Sequence, residues 1–396
     1  MRAMTTDPNC PVSSVDLWAD AVLENPYPAY SDLRDLGAVV WLSRFDAYVL
    51  PRYDEVRAAL QDHATYSSAQ GVGMDPVYNG KSNNGILTSD PPIHDTRRRV
   101  LNPQLVPRAL VQHETMIRMR AEELVESLVE RGTFDAATDL AQPYSVQLVA
   151  DLVGLPPEGR EHLLKRAEAA FNTFGPANDR MLSSVDGLRQ LFEYCQKTAV
   201  PGRLEPGLWG EQIYDAAARG ELEPEACPGL MLAYVWAGMD TTVNAIASSV
   251  ALFARHPDQW DIVRSDLSLI PSAFNEVLRL ETPVQRFSRC TTTDTTVAGT
   301  AVPEGSRIAL LFGSANRDPR HYDHPDSFDV TRNPVDHLSF GRGVHRCVGA
   351  PLALLEGHAV IAALANRVER IEEVRTIWRR NNALHGPQSC VVNVSR

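Results

Sequence analysis

Apolar residues return at i, i+3 and i+4 through residues 110–128, 146–153, 182–192 and 231–253, so most of the chain between 92 and about 267 is predicted helical. Proline and glycine clusters punctuate these helices at Leu155-Pro156-Pro157, Gly175-Pro176 and 201–207. The earlier segment 25–60 alternates differently: a helical PYPAYSDLRDLG, short strands VVWL and AYVL, then a helical YDEVRAALQD. From 284 to 312 the residues become β-branched runs with turn signals (CTTTDTTVAGTAVPEGSRIALLF), which predict short antiparallel strands. An irregular stretch, 325–340, precedes a strongly apolar helix at about 351–368. Residues 67–90 are rich in glycine and asparagine with little periodicity, about twice the usual loop length, and are expected to form a lid. Neither an internal repeat nor a linker-like tract divides the chain, so one large domain over 1–396 is expected, mainly α with a minor antiparallel β part at about 25–65 and 284–312.

Composition narrows the function classes. With 44% hydrophobic and 22% charged residues, the 396-residue chain can bury a sizeable core, which excludes disordered, collagenous and coiled-coil readings. A net charge of −12 argues against a general binder of nucleic acid or anionic membrane, so any cationic partner site must be local. The longest apolar stretch, 229–239, ends at Asp240, too short to span a bilayer, and MRAMTTDPNCPVSS has no apolar leader core. Cys10, Cys195, Cys227, Cys290, Cys347 and Cys390 are far apart with no C-x-x-C pair, which indicates neither a zinc module nor a disulfide scaffold and points to a reducing cytoplasm.

Three segments carry candidate chemistry. In Phe340-Gly-Arg-Gly-Val-His-Arg-Cys347-Val-Gly349 a cysteine stands at the start of an apolar helix, flanked by His345 and Arg346. Helix dipole and cationic neighbours favour its thiolate, a nucleophile or metal ligand, and glycines 341, 343 and 349 let backbone N–H groups approach the sulfur. The plainer alternative is a buried structural cysteine. The second segment, Ala237-Gly238-Met239-Asp240-Thr241-Thr242, places an acid and an alcohol inside an apolar helix. A buried carboxylate is costly unless it is paired. Gly238, one turn before Thr241, leaves room for the helix to open around a small ligand; alternatively Thr241 bonds back to a carbonyl and Asp240 caps locally. Third, Glu276-Val-Leu-Arg279 sets opposite charges at i, i+3 on one helix face, a weak signal by itself.

Together, F-x-x-G-x-H-x-C-x-G, the acid–alcohol segment and E-x-x-R resemble, in order and separation, the motifs of the cytochrome P-450 family. The likeness runs from NPYPAYSDLRDLG through FGSANRDPRHYDHPDSFDVTR to the C-terminal helix and strands. It implies that fold, with haem b between a long distal helix and the helix after the cysteine loop, and Cys347 as the proximal iron ligand. His94 and Arg98 in DPPIHDTRRRVL, Arg289 in PVQRFSR, and His345 would pair with the haem propionates. Thr241 would hydrogen-bond bound dioxygen and Asp240 would relay protons for O–O cleavage, while Glu276, Arg279 and Arg332 would fix the cysteine segment. The implied activity is a bacterial haem-thiolate monooxygenase, expected as a monomer without membrane anchor or fused reductase. It would use O2 and electrons from a ferredoxin and an NAD(P)H-dependent ferredoxin reductase. Arg97, Arg99, Arg342 and Arg346 are candidates for a local patch that meets an acidic ferredoxin. A haem-thiolate isomerase or sensor would have no need of Asp240 and Thr241; a haem-free cysteine enzyme using Cys347 and His345 would be colourless.

In similar proteins the substrate pocket is lined from segments that here contain Gln70, Phe171, Phe174, Ala233, Trp236, Ala237, Val284 and Phe287. SSAQGVGM, FNTFGPAND and FGSANRDPR resemble the subgroup that oxidises para-substituted aromatic acids, often by O-demethylation. Where that subgroup presents an arginine and serines to the carboxylate, this chain has Gln70, Ala233 and Trp236. A small neutral or phenolic aromatic substrate is therefore expected, with a 4-substituted benzoate or a terpenoid as alternatives. Arg286, beside the pocket segment, is the residue that would have to turn inward to bind an anion.

Overall fold

The structure, a computed structural model, describes residues 7–79 and 85–396. At its centre lies the helix Gly238–Arg255, in which every residue from Thr242 to Phe253 is buried. A helix apolar on all sides needs cover on all sides. Gln142–Val153, Ala350–Ala365 and the C-terminal strands supply it, and Ala350–Ala365 packs in turn on the long helix Pro107–Arg131. Ahead of the central helix, Cys227–Leu232 runs into a π-helical turn at Ala233–Ala237, a wider coil of the kind often found at functional sites.

The β part is small, as expected. Val40–Leu42 and Ala47–Leu50 form an antiparallel pair, and Ala47–Leu50 lies parallel to Arg307–Leu311. That strand pairs antiparallel with Arg286–Thr291, on which Tyr66–Ser67 is added at the edge. A hairpin, Thr295–Val297 and Thr300–Val302, fills the predicted turn region. Near the C-terminus, Arg370–Trp378 and Pro387–Ser395 pair antiparallel, and Thr133–Asp135, which the sequence pattern did not reveal, joins them.

Glu276 and Arg279 are both fully buried, with Arg279 Nε 2.7 Å and Nη2 2.8 Å from the two carboxylate oxygens. Arg332 Nε donates to Glu276 Oε1 at 3.1 Å, as does the Asp329 N–H at 3.2 Å. The remaining Arg279 donors reach the carbonyls of Asn316, Pro325 and Ser327. A buried pair satisfied this fully serves as a fixed point, and here it pins the irregular stretch that leads to the cysteine loop. Asn316, which sequence reasoning passed over, completes the brace by accepting the Leu338 N–H at 2.7 Å and donating to Thr282 and Ser339.

The expected lid is tied down where it is described; its residues 80–84 lie outside the described residues. The Ser288 N–H donates to the Val72 carbonyl at 2.7 Å, Arg307 donates to the Gly71 carbonyl at 2.7 Å, and the Met74 N–H donates to the Phe174 carbonyl at 3.0 Å. A short helix, Pro76–Asn79, returns Asn79 to both backbone groups of Gly73. Gly71 has φ +82, and a Cβ there would stand 2.4 Å from the Asn79 side chain, so only glycine suits the turn.

Candidate active site

The cysteine loop closes on itself through the Cys347 N–H, which donates to the Phe340 carbonyl at 2.8 Å. Gly343, at φ +67, presses on the end of the helix Tyr53–Gln61: a Cβ would lie 2.4 Å from the Leu60 carbonyl oxygen. Five of the six cysteines are packed in the interior, and Cys347 alone has an accessible side chain. It faces a cavity whose wall also contains Gly238, Thr241 and the four residues His94, Arg98, Arg289 and His345. Burial within the protein pushes the Cys347 thiol up, against the Gly349 and Ala350 N–H groups and the Arg98 and Arg346 charges. A metal cation bound at the sulfur would favour the thiolate.

The four polar residues have spare hydrogen-bonding capacity directed at an otherwise apolar space. His94 is buried with Nδ1 3.0 Å from Asp95, while its Nε2 has no partner among the described residues. The His345 ring meets His94 edge-on at 4.5 Å, and burial lowers its pKa to about 4. Arg289 is buried, donates from Nη1 to the Ser288 carbonyl at 2.8 Å, and is pulled down to about 10 by burial. Arg98 donates from Nε to Asn102 at 2.9 Å. Neither arginine is in an ion pair among the described residues. An orphaned buried imidazole, two uncompensated guanidiniums and an open thiol in one apolar cavity fit a flat, metal-bearing group with anionic arms.

One member of this cluster was missed. Asp90 lies 3.5 Å from His345 Nε2 and accepts from the Ser67 hydroxyl at 2.5 Å and the Ser68 N–H at 3.1 Å. Although burial opposes it, these donors hold the Asp90 carboxyl well below the usual range. Its place just before Pro-Pro-x-His94 was the available signal.

The acid and the alcohol part company. Thr241 Oγ1 donates to the Ala237 carbonyl at 2.8 Å, across the turn left open by the π-helical segment, and lines the cavity. Asp240 does not line it. The Asp240 side chain is fully buried on the other side, 2.6 Å from Arg379 Nη1. Adjacent helix positions differ by about 100° in direction, so both could not face one ligand without rotating the acid.

Six of the expected pocket residues, Phe171, Ala233, Trp236, Ala237, Val284 and Phe287, line the cavity. Phe174 stands behind them, with its ring 5.3 Å from Trp236 and 5.5 Å from Phe287. Gln70 is a correction: it is exposed, and the structure uses only its carbonyl, which accepts from Arg307. Trp209 and Tyr234, not singled out in the sequence, form a further aromatic wall with ring centres 5.9 Å apart. Arg286 points neither to the cavity nor to solvent. It is buried with Nη1 2.9 Å from the Leu17 carbonyl and its guanidinium 5.0 Å from the Trp18 ring centre. In the proposed basic patch Arg99 and Arg346 are exposed and Arg342 half-buried, but Arg97 is buried and donates to the Gly85 carbonyl at 3.1 Å.

A mainly helical fold that presents a cysteine loop and the Thr241 hydroxyl of its central helix to one cavity is that of a haem-thiolate oxygenase, and the chain belongs to the cytochrome P450 family. The cytochrome P450 family model matches residues 213–370. The Rhodopseudomonas palustris protein cytochrome p450 CYP199A2 is 39% identical over 390 residues, covering 97% of this chain and 95% of that protein. Beta-dihydromenaquinone-9 omega-hydroxylase of Mycobacterium tuberculosis is 32% identical, covering 95% and 77%. Among solved structures, P450BioI in complex with ligated acyl carrier protein superposes with a TM-score of 0.85 at 26% identity over 95% of this chain and 99% of that one. Cytochrome P450 CREJ in complex with (4-ethylphenyl) dihydrogen phosphate gives 0.85 at 25%, over 94% and 98%. The protein is a cytochrome P450 monooxygenase. Among the described residues no helix is long and apolar enough to cross a membrane.

Proposed function

We propose that this enzyme inserts one oxygen atom from O2 into a small neutral or phenolic aromatic, by hydroxylation or O-demethylation at a benzylic or O-methyl carbon. The observation that carries the substrate class is Arg286: the arginine next to Phe287 in the chain is committed to Leu17 and Trp18. Phe171, Trp236 and Phe287 then offer flat apolar contact and no counter-charge. A carboxylate buried there would lose on the order of several kcal/mol. CREJ binds a para-substituted aryl phosphate; the cations that line this cavity, Arg98 and Arg289, are in this reading partners of the haem propionates, which leaves the aromatic wall without one of its own among the described residues.

In this reading Cys347 would hold the iron of haem b and His94, Arg98, Arg289 and His345 its propionates, and the group would supply reductive activation of dioxygen. The chain does the rest. The aromatic wall orients the substrate and excludes water, Thr241 holds a hydroxyl at the cavity surface, and Asp240 passes protons from the interior toward it. Exposed Arg99 and Arg346, with Arg342, form a local cationic face suited to an acidic ferredoxin, itself reduced by an NAD(P)H-dependent reductase. Six unpaired cysteines suit a reducing cytoplasm.

Paired titration of the ferric holoenzyme with 4-methoxybenzoate and with 4-methylanisole or a methoxyphenol tests the substrate class. The neutral member should bind more tightly and give the fuller spin-state shift. Tighter binding and a fuller shift with the acid would sink it.

A further inference from the structure

The tip of the C-terminal hairpin, residues 379–386, enters the molecule between three elements that the reaction uses. Arg379 is buried and donates from Nη1 to Asp240 Oδ1 at 2.6 Å. Asp240 Oδ2 and Arg379 Nε have no other partner among the described residues. The tip rests directly on the central helix: a Cβ on Gly386 would stand 2.4 Å from Asn244 Oδ1, and Asn244 Nδ2 donates to the Asp240 carbonyl at 2.7 Å. From the same tip, Asn381 Nδ2 donates to the Glu168 carbonyl at 3.1 Å, and the Asn382 N–H donates to Asn172 Oδ1 at 2.9 Å. Both acceptors belong to Leu163–Asn172, the helix that carries Phe171. On its other side, the Gln285 N–H donates to the Ala383 carbonyl at 2.9 Å, and Leu384 bridges to Val284. One short turn therefore touches the buried acid, the Phe171 helix and the Val284 segment.

We propose that Arg379 is the positioning residue for Asp240, holding its carboxyl group turned off the cavity, and that the hairpin tip links this hold to the aromatic substrate wall. The proposal rests on the reading of Asp240 as proton carrier. Among the described residues two charged groups act on Asp240: Arg379 from the tip and Glu168 from the helix Leu163–Asn172. Burial, to which Glu168 adds, raises the Asp240 pKa overall, and Arg379 is the group that opposes the rise. A buried carboxylate deprived of its cation takes up a proton. Arg379→Gln should therefore push Asp240 further toward its neutral form, and Arg379→Lys should largely reverse that.

The test uses holoenzyme carrying Arg379→Gln, Arg379→Lys, Glu168→Gln or Asp240→Asn, and compares infrared spectra with pH–turnover profiles. Arg379→Gln should show a protonated-carboxyl band that disappears when Asp240→Asn is added. Its acid limb of turnover should move up by roughly one pH unit or more, about tenfold in proton occupancy at fixed pH. Arg379→Lys should return most of that shift, and Glu168→Gln should move the limb the opposite way. The Glu168→Gln comparison stands even if Arg379→Gln does not fold. An unmoved limb in the Glu168 variant, or no Asp240-dependent band in Arg379→Gln, would overturn the proposal. Turnover unaffected by Asp240→Asn would overturn the relay reading instead, and the infrared band would then decide on Arg379's hold alone.

Discussion

Asp240 and Thr241 are adjacent in the chain yet face different surroundings: the Thr241 hydroxyl sits in the cavity wall 2.8 Å from the Ala237 carbonyl, and the Asp240 carboxylate lies buried 2.6 Å from Arg379. Their substitutions should therefore fail differently. Thr241→Ala removes a hydroxyl at the cavity surface, so NADH consumption should continue while more of it ends in hydrogen peroxide and less in product. Asp240→Asn removes an ionisable group from the supply side and should slow turnover itself. The ratios of product and peroxide to NADH consumed separate the two, and unchanged coupling and rate in both would remove the proton-handling role.

Cys347 differs from the other five cysteines in being open to the cavity. The reduced carbonyl complex should show the strongly red-shifted Soret band of thiolate ligation. Cys347→His should abolish that band, and Cys390→Ser, a change at a buried cysteine on the C-terminal hairpin, should leave it in place. A red-shifted band surviving in Cys347→His would overturn the ligand assignment.

How legible each part was depends on how local its cause is. Helix periodicity located the central and cysteine-bearing helices, because burial on a repeating face is written into spacing; β-branched runs did the same for Arg286–Thr291 and Arg307–Leu311. The family resemblance singled out Cys347, Thr241, His94, Arg98, Arg289 and His345, and the structure sets all six in the wall of one cavity. What spacing could not show was side-chain direction. Arg286 alternates to the face of its strand that meets Trp18, and Arg97 turns inward to the Gly85 carbonyl. Gln70 lies at a tied-down turn whose outward face is set by Asn79 and Arg307. Asp240's partner comes from 139 residues away, a separation at which no local pattern speaks.

The buried trio of Glu276, Arg279 and Arg332 should be intolerant of losing its anion. Glu276→Gln strands one fully buried guanidinium and a second that is largely buried. Removing one partner of such a pair costs ~3–5 kcal/mol, a large share of a typical domain's stability. The variant should accumulate poorly and hold little haem, read from folded yield and Soret absorbance per protein. Arg332→Lys, whose side chain reaches the surface, should be milder. A Glu276→Gln protein with wild-type melting and haem content would remove the bracing role.

Glu356, on the helix that follows the cysteine loop, is fully buried and lines the cavity, and neither of its carboxylate oxygens has a hydrogen-bond partner among the described residues. Burial raises its pKa from 4.5 to about 8, the nearby Ser145 hydroxyl offsetting part of that. The folded chain therefore keeps this proton where the unfolded chain has lost it. Because the folded value is the higher, the group's contribution to stability is full below 4.5 and is lost as pH rises through about 8. Glu356→Gln stays neutral throughout and escapes that loss. Between those two values the stability of Glu356→Gln relative to wild type should rise by about 1.4 kcal/mol per pH unit and then level off. Denaturation midpoints of the two holoenzymes across the range measure it. Parallel profiles would mean that Glu356 is already ionised in the folded protein, and the reading of a neutral buried acid beside the cavity would fall.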